Sequence, residues 1–407
     1  MFLRSMLSVC LFITCNSLAS TSALKEFNEA LNTLLIENEL PGAVVHIKHK
    51  GQVLLHHAYG KVNVEEQEKI EVDDIFRIYS MSKPVAAVAL LQLVDKGLVE
   101  LDADIRTYLP EFDVFEHEGK EQIITVHQLL SHTAGFGYGG GLKNWIDIQY
   151  LLVNPLSRNN DLSDLVDDLS GIELKFVPGS KFEYSIASDI QGAIIEAVTK
   201  QPLEQYFYEH IFKPLNMKDT GFYVPAQAHH RLVDMYEYDA GTFKNAYTFN
   251  KEDILFVETG QDSDFLSKPT LISAGGGLVS TAQDFANFVE MVLNDGEFQG
   301  RRILSQAIVS KMLSSHTTGL DTHFMPRVYK GAGFGYGFGV KEISGDDRAQ
   351  GSFFWSGMGG TVFWADPKNE LQVVVMFQVE DGWVGMEKWM IKHVYPLIAA
   401  ANNNKME

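Results

Sequence analysis

Strand-forming residues gather at the two ends of this chain, and the long middle reads as helices and polar loops. Near the start, Ala43-Val44-Val45-His46-Ile47-Lys48 and Val53-Leu54-Leu55-His56-His57-Ala58-Tyr59 are joined through Lys50-Gly51-Gln52, the pattern of a β-hairpin. Strands return late, at Gly335 to Val340, Ser352 to Trp355, Gly360 to Trp364 and Leu371 to Phe377. Between them helical spacing prevails, clearest over 80–96, 125–131, 187–199, 202–212 and 281–294. A helical pattern over 24–40, carried by Leu24, Phe27, Leu31, Leu34 and Leu35, precedes the hairpin, and another near Val384 to Ala399 closes the chain. The expected fold is α/β (α+β): one antiparallel sheet built from both termini and flanked by helices, with a mainly helical domain inserted. An α/β lobe would hold about 24–79 and 328–400, and a helical lobe about 80–327. At 407 residues and 45% hydrophobic content the chain can fill a large core. Clefts between such lobes are where small-molecule sites tend to lie.

The opening residues, MFLRSMLSVCLFITCNSLAS, set Arg4 before a short apolar run and then Ser17-Leu18-Ala19, a small-x-small cleavage pattern. That predicts a secretory signal peptide over 1–19, with cleavage as late as residue 23, and a secreted or periplasmic bacterial protein. Both cysteines, Cys10 and Cys15, fall inside it, so the mature chain would lack any thiol for a disulfide, a nucleophile or a metal site. No later apolar run approaches a membrane span. A net charge of −20 repels nucleic acid and anionic membranes. The expected partner is a small-molecule substrate, and nothing in the sequence sets an oligomeric state.

The chemistry is concentrated at Ser80-Met81-Ser82-Lys83, which opens an apolar helical run. Residues three apart share a helix face, so the Lys83 amine can sit beside the Ser80 hydroxyl. A serine at a helix start also lies among unpaired backbone N–H groups, where an oxyanion is stabilised. Pro84 is tolerated this close to the start. Tyr184, in Pro178-Gly179-Ser180-Lys181-Phe182-Glu183-Tyr184-Ser185, stands on a turn ahead of an amphipathic helix. A phenol beside a lysine ammonium has its anion favoured and can serve as a general base. Late in the chain, Phe354-Trp355-Ser356-Gly357-Met358-Gly359-Gly360-Thr361 reads as a glycine-lined strand edge that a substrate can approach closely.

These three segments, in this order, resemble the serine β-lactamase and penicillin-binding-protein superfamily, and most of all its class C branch and the family VIII carboxylesterases. The stretch from Phe76 to Pro84 looks like the family's nucleophile segment. Leu129-Leu130-Ser131-His132-Thr133-Ala134-Gly135 is similar to its "LLxHTSG" segment, and Gly276-Gly277-Leu278-Val279-Ser280-Thr281 to its "GGLxST" stretch. The likeness runs from about residue 25 to 400 and implies a β-lactamase/transpeptidase-like fold. It implies Ser80 as nucleophile, Lys83 and Tyr184 together as its base, and an oxyanion hole from the backbone N–H groups of Ser80 and Met358. It implies no metal and no organic cofactor.

Two departures narrow the expected substrate. The β-lactamase tyrosine motif is usually Y-x-N, and here Ile186 holds the third place. The third motif is usually Lys-Thr-Gly, and here it reads Trp355-Ser356-Gly357. A lost polar contact to a substrate costs far more than a lost methylene. Trp355, Ser356, Gly357 and Ile186 are therefore expected at a site for esters of short acyl chains. The alternatives are a β-lactamase or D-alanyl/D-amino-acid peptidase, acyl transfer to an alcohol or amine, and an inactive binder of cell-wall peptides.

Other signals carry less. Gly135-x-Gly137-x-x-Gly140 follows a helical segment rather than a strand and reads as a loop, not a dinucleotide site. His132 is expected to be structural, and Asp189 a charge at a helix N-terminus rather than a triad member. The run Gly331 to Gly339 is expected to be a strand entry where backbone or ligand comes close. The loops at 136–180 and 222–270 are expected to wall the cleft.

Overall fold

Seven antiparallel strands form the main sheet of the computed structural model, which describes residues 13–63, 68–139, 144–238, 254–320, 331–343 and 345–403. They are β1 (Ala43–His49), β2 (Gln52–Tyr59), β3 (Ala332–Phe334), β4 (Gly339–Lys341), β5 (Phe353–Ser356), β6 (Val362–Asp366) and β7 (Leu371–Phe377). Their order is β3-β4-β5-β6-β7-β1-β2. The two ends of the chain meet where β1 pairs with β7, in register from Ala43↔Phe377 to His49↔Leu371. The hairpin turn between β1 and β2 has Lys50 at φ 50° and Gly51 at φ 75°, the left-handed pair that matches strand twist.

All of β7 is buried, which requires cover on both faces of the sheet. Two groups of helices supply it. Helix α1 (Ile13–Glu37) packs on the last helix, α5 (Trp383–Asn403), with the rings of Phe27 and Trp389 5.7 Å apart. Helix α4 (Ala282–Leu293) packs on the sheet through Phe285, 5.1 Å from Phe363. The expected leader falls partly outside the described residues, at 1–12. Among the described residues no helix is long and apolar enough to cross a membrane.

Helix α2 (Ser82–Asp95) is buried from Ser82 to Leu93, as its sequence without a polar face demands. It begins two residues later than the sequence pattern suggests, because Tyr79–Met81 forms a separate 3-10 turn. Helix α3 (Ala187–Thr199) packs across it. The helical pattern over 202–212 also divides, into an α-turn at Leu203–Phe207 and a π-turn at Tyr208–Phe212.

The single strand expected over 335–340 is a correction of a different kind. The chain bends there between β3 and β4, and the Gly335 N–H closes the bend on the Phe338 carbonyl at 2.9 Å. Gly337, at φ 81°, packs onto α2, where a Cβ would stand 2.9 Å from Ala87 Cβ and 3.2 Å from the Lys83 carbonyl oxygen. Glycine is required for that approach.

Candidate active site

Ser80 sits on the 3-10 turn and Lys83 is the second residue of α2. Lys83 Nζ donates to Ser80 Oγ at 3.3 Å and to the Gly275 carbonyl at 2.6 Å. Burial opposes the Lys83 ammonium, but the phenols of Tyr138 and Tyr184 outweigh it and the net shift is upward. Lys83 Nζ thus stands between Ser80 Oγ and the two phenol rings.

The turn that carries Ser80 is fixed from both sides. The Arg77 N–H donates to Gln378 Oε1 at 2.9 Å, and Gln378 Nε2 donates to the Gly359 carbonyl at 3.0 Å. Arg77 itself is fully buried, paired with Glu258 at 2.7 Å and donating to the Val233 carbonyl at 2.7 Å. Tyr79 takes a φ of 40°, a strained position for a residue with a side chain, and it lines the site.

Tyr184 is held through its neighbours. The Glu183 N–H donates to the His132 carbonyl at 2.9 Å, and the Ser185 N–H donates to His132 Nδ1 at 3.2 Å. Burial, with Lys83 nearby, pushes His132 well below its ordinary pKa, so the ring is neutral with Nδ1 as acceptor. The Tyr184 ring centroid lies 4.6 Å from Lys83 Nζ and 5.4 Å from the Trp355 ring.

Strand β5 and the turn after it form the opposite wall. A Cβ on Gly357 would stand 2.3 Å from the Ile78 carbonyl oxygen and 2.5 Å from Thr361 Oγ1. One on Gly359 would stand 2.8 Å from the Tyr79 ring. The strand edge thus lies against the Ser80 turn with no room for a side chain. The Gly357 N–H donates to the Thr361 carbonyl at 2.8 Å, and the Met358 carbonyl accepts from the Asp381 N–H at 2.8 Å.

These parts enclose a cavity of about 460 Å³. Ser80, Lys83, Tyr184, Trp355, Ser356 and Met358 all line it, and Gly357 backs it. Ile186 does not belong there. It is 1% exposed, it caps the start of α3, and its side chain packs in the core. The chain turns into the helix directly after Ser185 and carries Ile186 inward. The cavity is also lined by residues the sequence reading passed over, Tyr138, Leu156, Asp381 and Trp383, and by Asp189, which that reading took for a helix N-terminal charge. Tyr138 is the most consequential, with its ring centroid 5.5 Å from Lys83 Nζ. Its signal was an aromatic between glycines in Gly135-Phe136-Gly137-Tyr138-Gly139. A Cβ on Gly139 would stand 2.3 Å from Tyr150 Cβ, so this loop too is shaped by close approach. Of the loops expected to wall the cleft, 136–180 supplies Tyr138 and Leu156; part of the other, 239–253, lies outside the described residues.

Comparison with known proteins places this geometry. The sequence model of the beta-lactamase family matches residues 23–392. Protein Rv1367c of Mycobacterium tuberculosis is 30% identical over 362 residues, covering 83% of this chain and 86% of its own. Esterase EstB of Burkholderia gladioli is 34% identical over 220 residues, covering 51% of this chain and 54% of its own. Among solved structures, EstCE1, described as a hydrolase with promiscuous acyltransferase activity, superposes with a TM-score of 0.77 at 25% identity, covering 92% of this chain and 99% of its own.

Proposed function

The chain belongs to the beta-lactamase family, and we propose that within it this protein is a carboxylesterase that cleaves esters of short acyl chains through an acyl-Ser80 intermediate. The observation that carries the reading is the pairing of Lys83 with Ser80 Oγ beneath the Tyr184 ring, in a cavity walled by Trp355. The Lys83–Tyr184 pair, one proton short of ammonium plus phenol, takes the Ser80 proton through the Tyr184 oxygen as Oγ attacks the ester carbonyl. The tetrahedral oxyanion rests on the N–H groups of Ser80 and Met358, and the Lys83 ammonium lies beside it. The intermediate collapses to acyl-Ser80, and the departing alkoxide takes a proton from Tyr184. Water then attacks the acyl carbon, losing its proton to Tyr184, and releases the acid as Ser80 regains its hydrogen.

The wall chemistry supports an ester over a β-lactam. Trp355 is an apolar ring where the superfamily's usual motif has a lysine, and Leu156, Met358 and Trp383 add apolar surface. A carboxylate-bearing substrate would meet Asp381 at that wall instead of a cation. The esterase relative and the hydrolase likeness support the same reading. The largely apolar lining also favours acyl transfer to an alcohol as a second activity, since it keeps water scarce around the acyl-enzyme.

Turnover of p-nitrophenyl butyrate and nitrocefin by the same preparation tests the choice. The expected result is a larger kcat/KM for the ester, abolished in Ser80→Ala together with fluorophosphonate labelling. A larger kcat/KM for nitrocefin would refute the esterase assignment. Product analysis with added alcohol would reveal the transfer reaction.

A further inference from the structure

A buried carboxyl group stands behind Lys83, and no step described above uses it. Asp189 lies in the first turn of α3 and is 0% exposed. An acid that served only the helix dipole would be better left in water, because burying its charge costs several kcal/mol on the usual order. Asp189 is instead engaged on one side. Its Oδ1 accepts from the Ser273 hydroxyl at 2.7 Å and from the Gly275 N–H at 3.0 Å. The same Gly275 presents its carbonyl to Lys83 Nζ at 2.6 Å. A single glycine therefore connects the carboxyl to the lysine that reaches Ser80 Oγ.

The residue at 275 has to be glycine for this to happen. A Cβ there would stand 2.4 Å from Asp189 Oδ2. That second oxygen is buried with no hydrogen-bond partner among the described residues, so its lone pairs are left to the local field. Burial pushes Asp189 upward in pKa, while Ser273, the Gly275 N–H and Lys83 oppose that shift. The titratable groups facing Lys83 are Tyr138, Tyr184, neutral His132 and Asp189. Only the last is an acid of the carboxyl type.

We propose that Asp189 is a positioning residue for Lys83, holding Gly275 by that residue's N–H so that its carbonyl orients the ammonium, and setting a carboxyl behind Lys83 as counter-charge. The inference rests on the acyl-serine reading above and divides its base: Lys83 remains the cation while Tyr184 moves the proton.

The test is the pH dependence of kcat/KM for p-nitrophenyl butyrate in wild type, Asp189→Asn and Gly275→Ala, each with a thermal melt. Asp189→Asn keeps an oxygen for Ser273 and Gly275 and removes the charge. We expect kcat to fall by roughly tenfold with KM little changed. The basic limb of the profile should move to lower pH by about one unit, the low end of what a neighbouring opposite charge contributes. Gly275→Ala pushes the carboxylate aside without removing it and should move the limb in the same direction. It decides the question if Asp189→Asn does not fold. A basic limb at the wild-type position, even with reduced activity, would assign Asp189 to the fold alone and overturn the proposal. Ester turnover that survives in Ser80→Ala would instead defeat the acyl-serine reading on which it rests.

Discussion

Gly357 lies where the strand edge meets the nucleophile turn, and replacing it with alanine probes that contact directly. The added Cβ would stand 2.3 Å from the Ile78 carbonyl oxygen, a backbone atom with no rotamer to escape into. Ordinary contact begins at 3.4 Å, so the edge and the turn must part by about 1 Å. Overpacking of this kind costs about 1–3 kcal/mol, which lowers the melting temperature of a domain this size by a few degrees. Activity should suffer more than stability. If Met358, the next residue, supplies the proposed oxyanion N–H, that N–H would be withdrawn, and a misplacement of about 1 Å in a reacting geometry costs on the order of a hundredfold. The assay is kcat and KM for p-nitrophenyl butyrate beside a thermal melt. Gly276→Ala serves as the stability control, since a Cβ there meets nothing within 4 Å. Gly357→Ala with kcat within about threefold of wild type and an unchanged melt would refute the close-approach reasoning.

Two further outcomes follow from the same structure. Leu156→Trp narrows the cavity from one side, so kcat/KM for a hexanoate ester should fall about tenfold relative to acetate, and an unchanged ratio would remove Leu156 from the acyl pocket. His46, in β1 with its Nδ1 3.3 Å from that of His56, has its pKa lowered from 6.5 to about 4 by burial, then by His56 and Lys48. The unfolded chain takes up that proton near 6.5 and the folded chain only near 4, so His46 favours unfolding progressively as pH falls through that window. The full effect is on the order of 3 kcal/mol, and urea midpoints at pH 7.5 and 5 should differ less in His46→Asn than in wild type. Equal differences in the two proteins would refute it.

The sheet was legible because its strands are apolar runs long enough to dominate their surroundings, as Leu371 to Phe377 does. The glycine-rich run near 335 misled because alternation of aromatics and glycines imitates a strand, whereas the glycines there serve a bend against α2. Ser80, Lys83 and Tyr184 could be singled out because their chemistry is tied to local spacing or to a turn before a helix. Ile186 shows the limit of that approach: motif position alone does not say which way a side chain turns as a helix begins. Tyr138, Trp383 and Asp189 reach the site through tertiary placement; the glycines around Tyr138 mark a loop and the position of Asp189 a helix start, and neither by itself marks a site.

The pairing of β1 with β7 also ties the two walls of the cavity to opposite ends of the chain. Ser80 and Lys83 belong to the first quarter of the chain, but the wall that carries Trp355 and Met358 hangs on strands close to its end. Until the last strands have docked, Ser80 is an ordinary hydroxyl with no wall opposite it. On the proposed chemistry, the site is complete only when those last strands are in place.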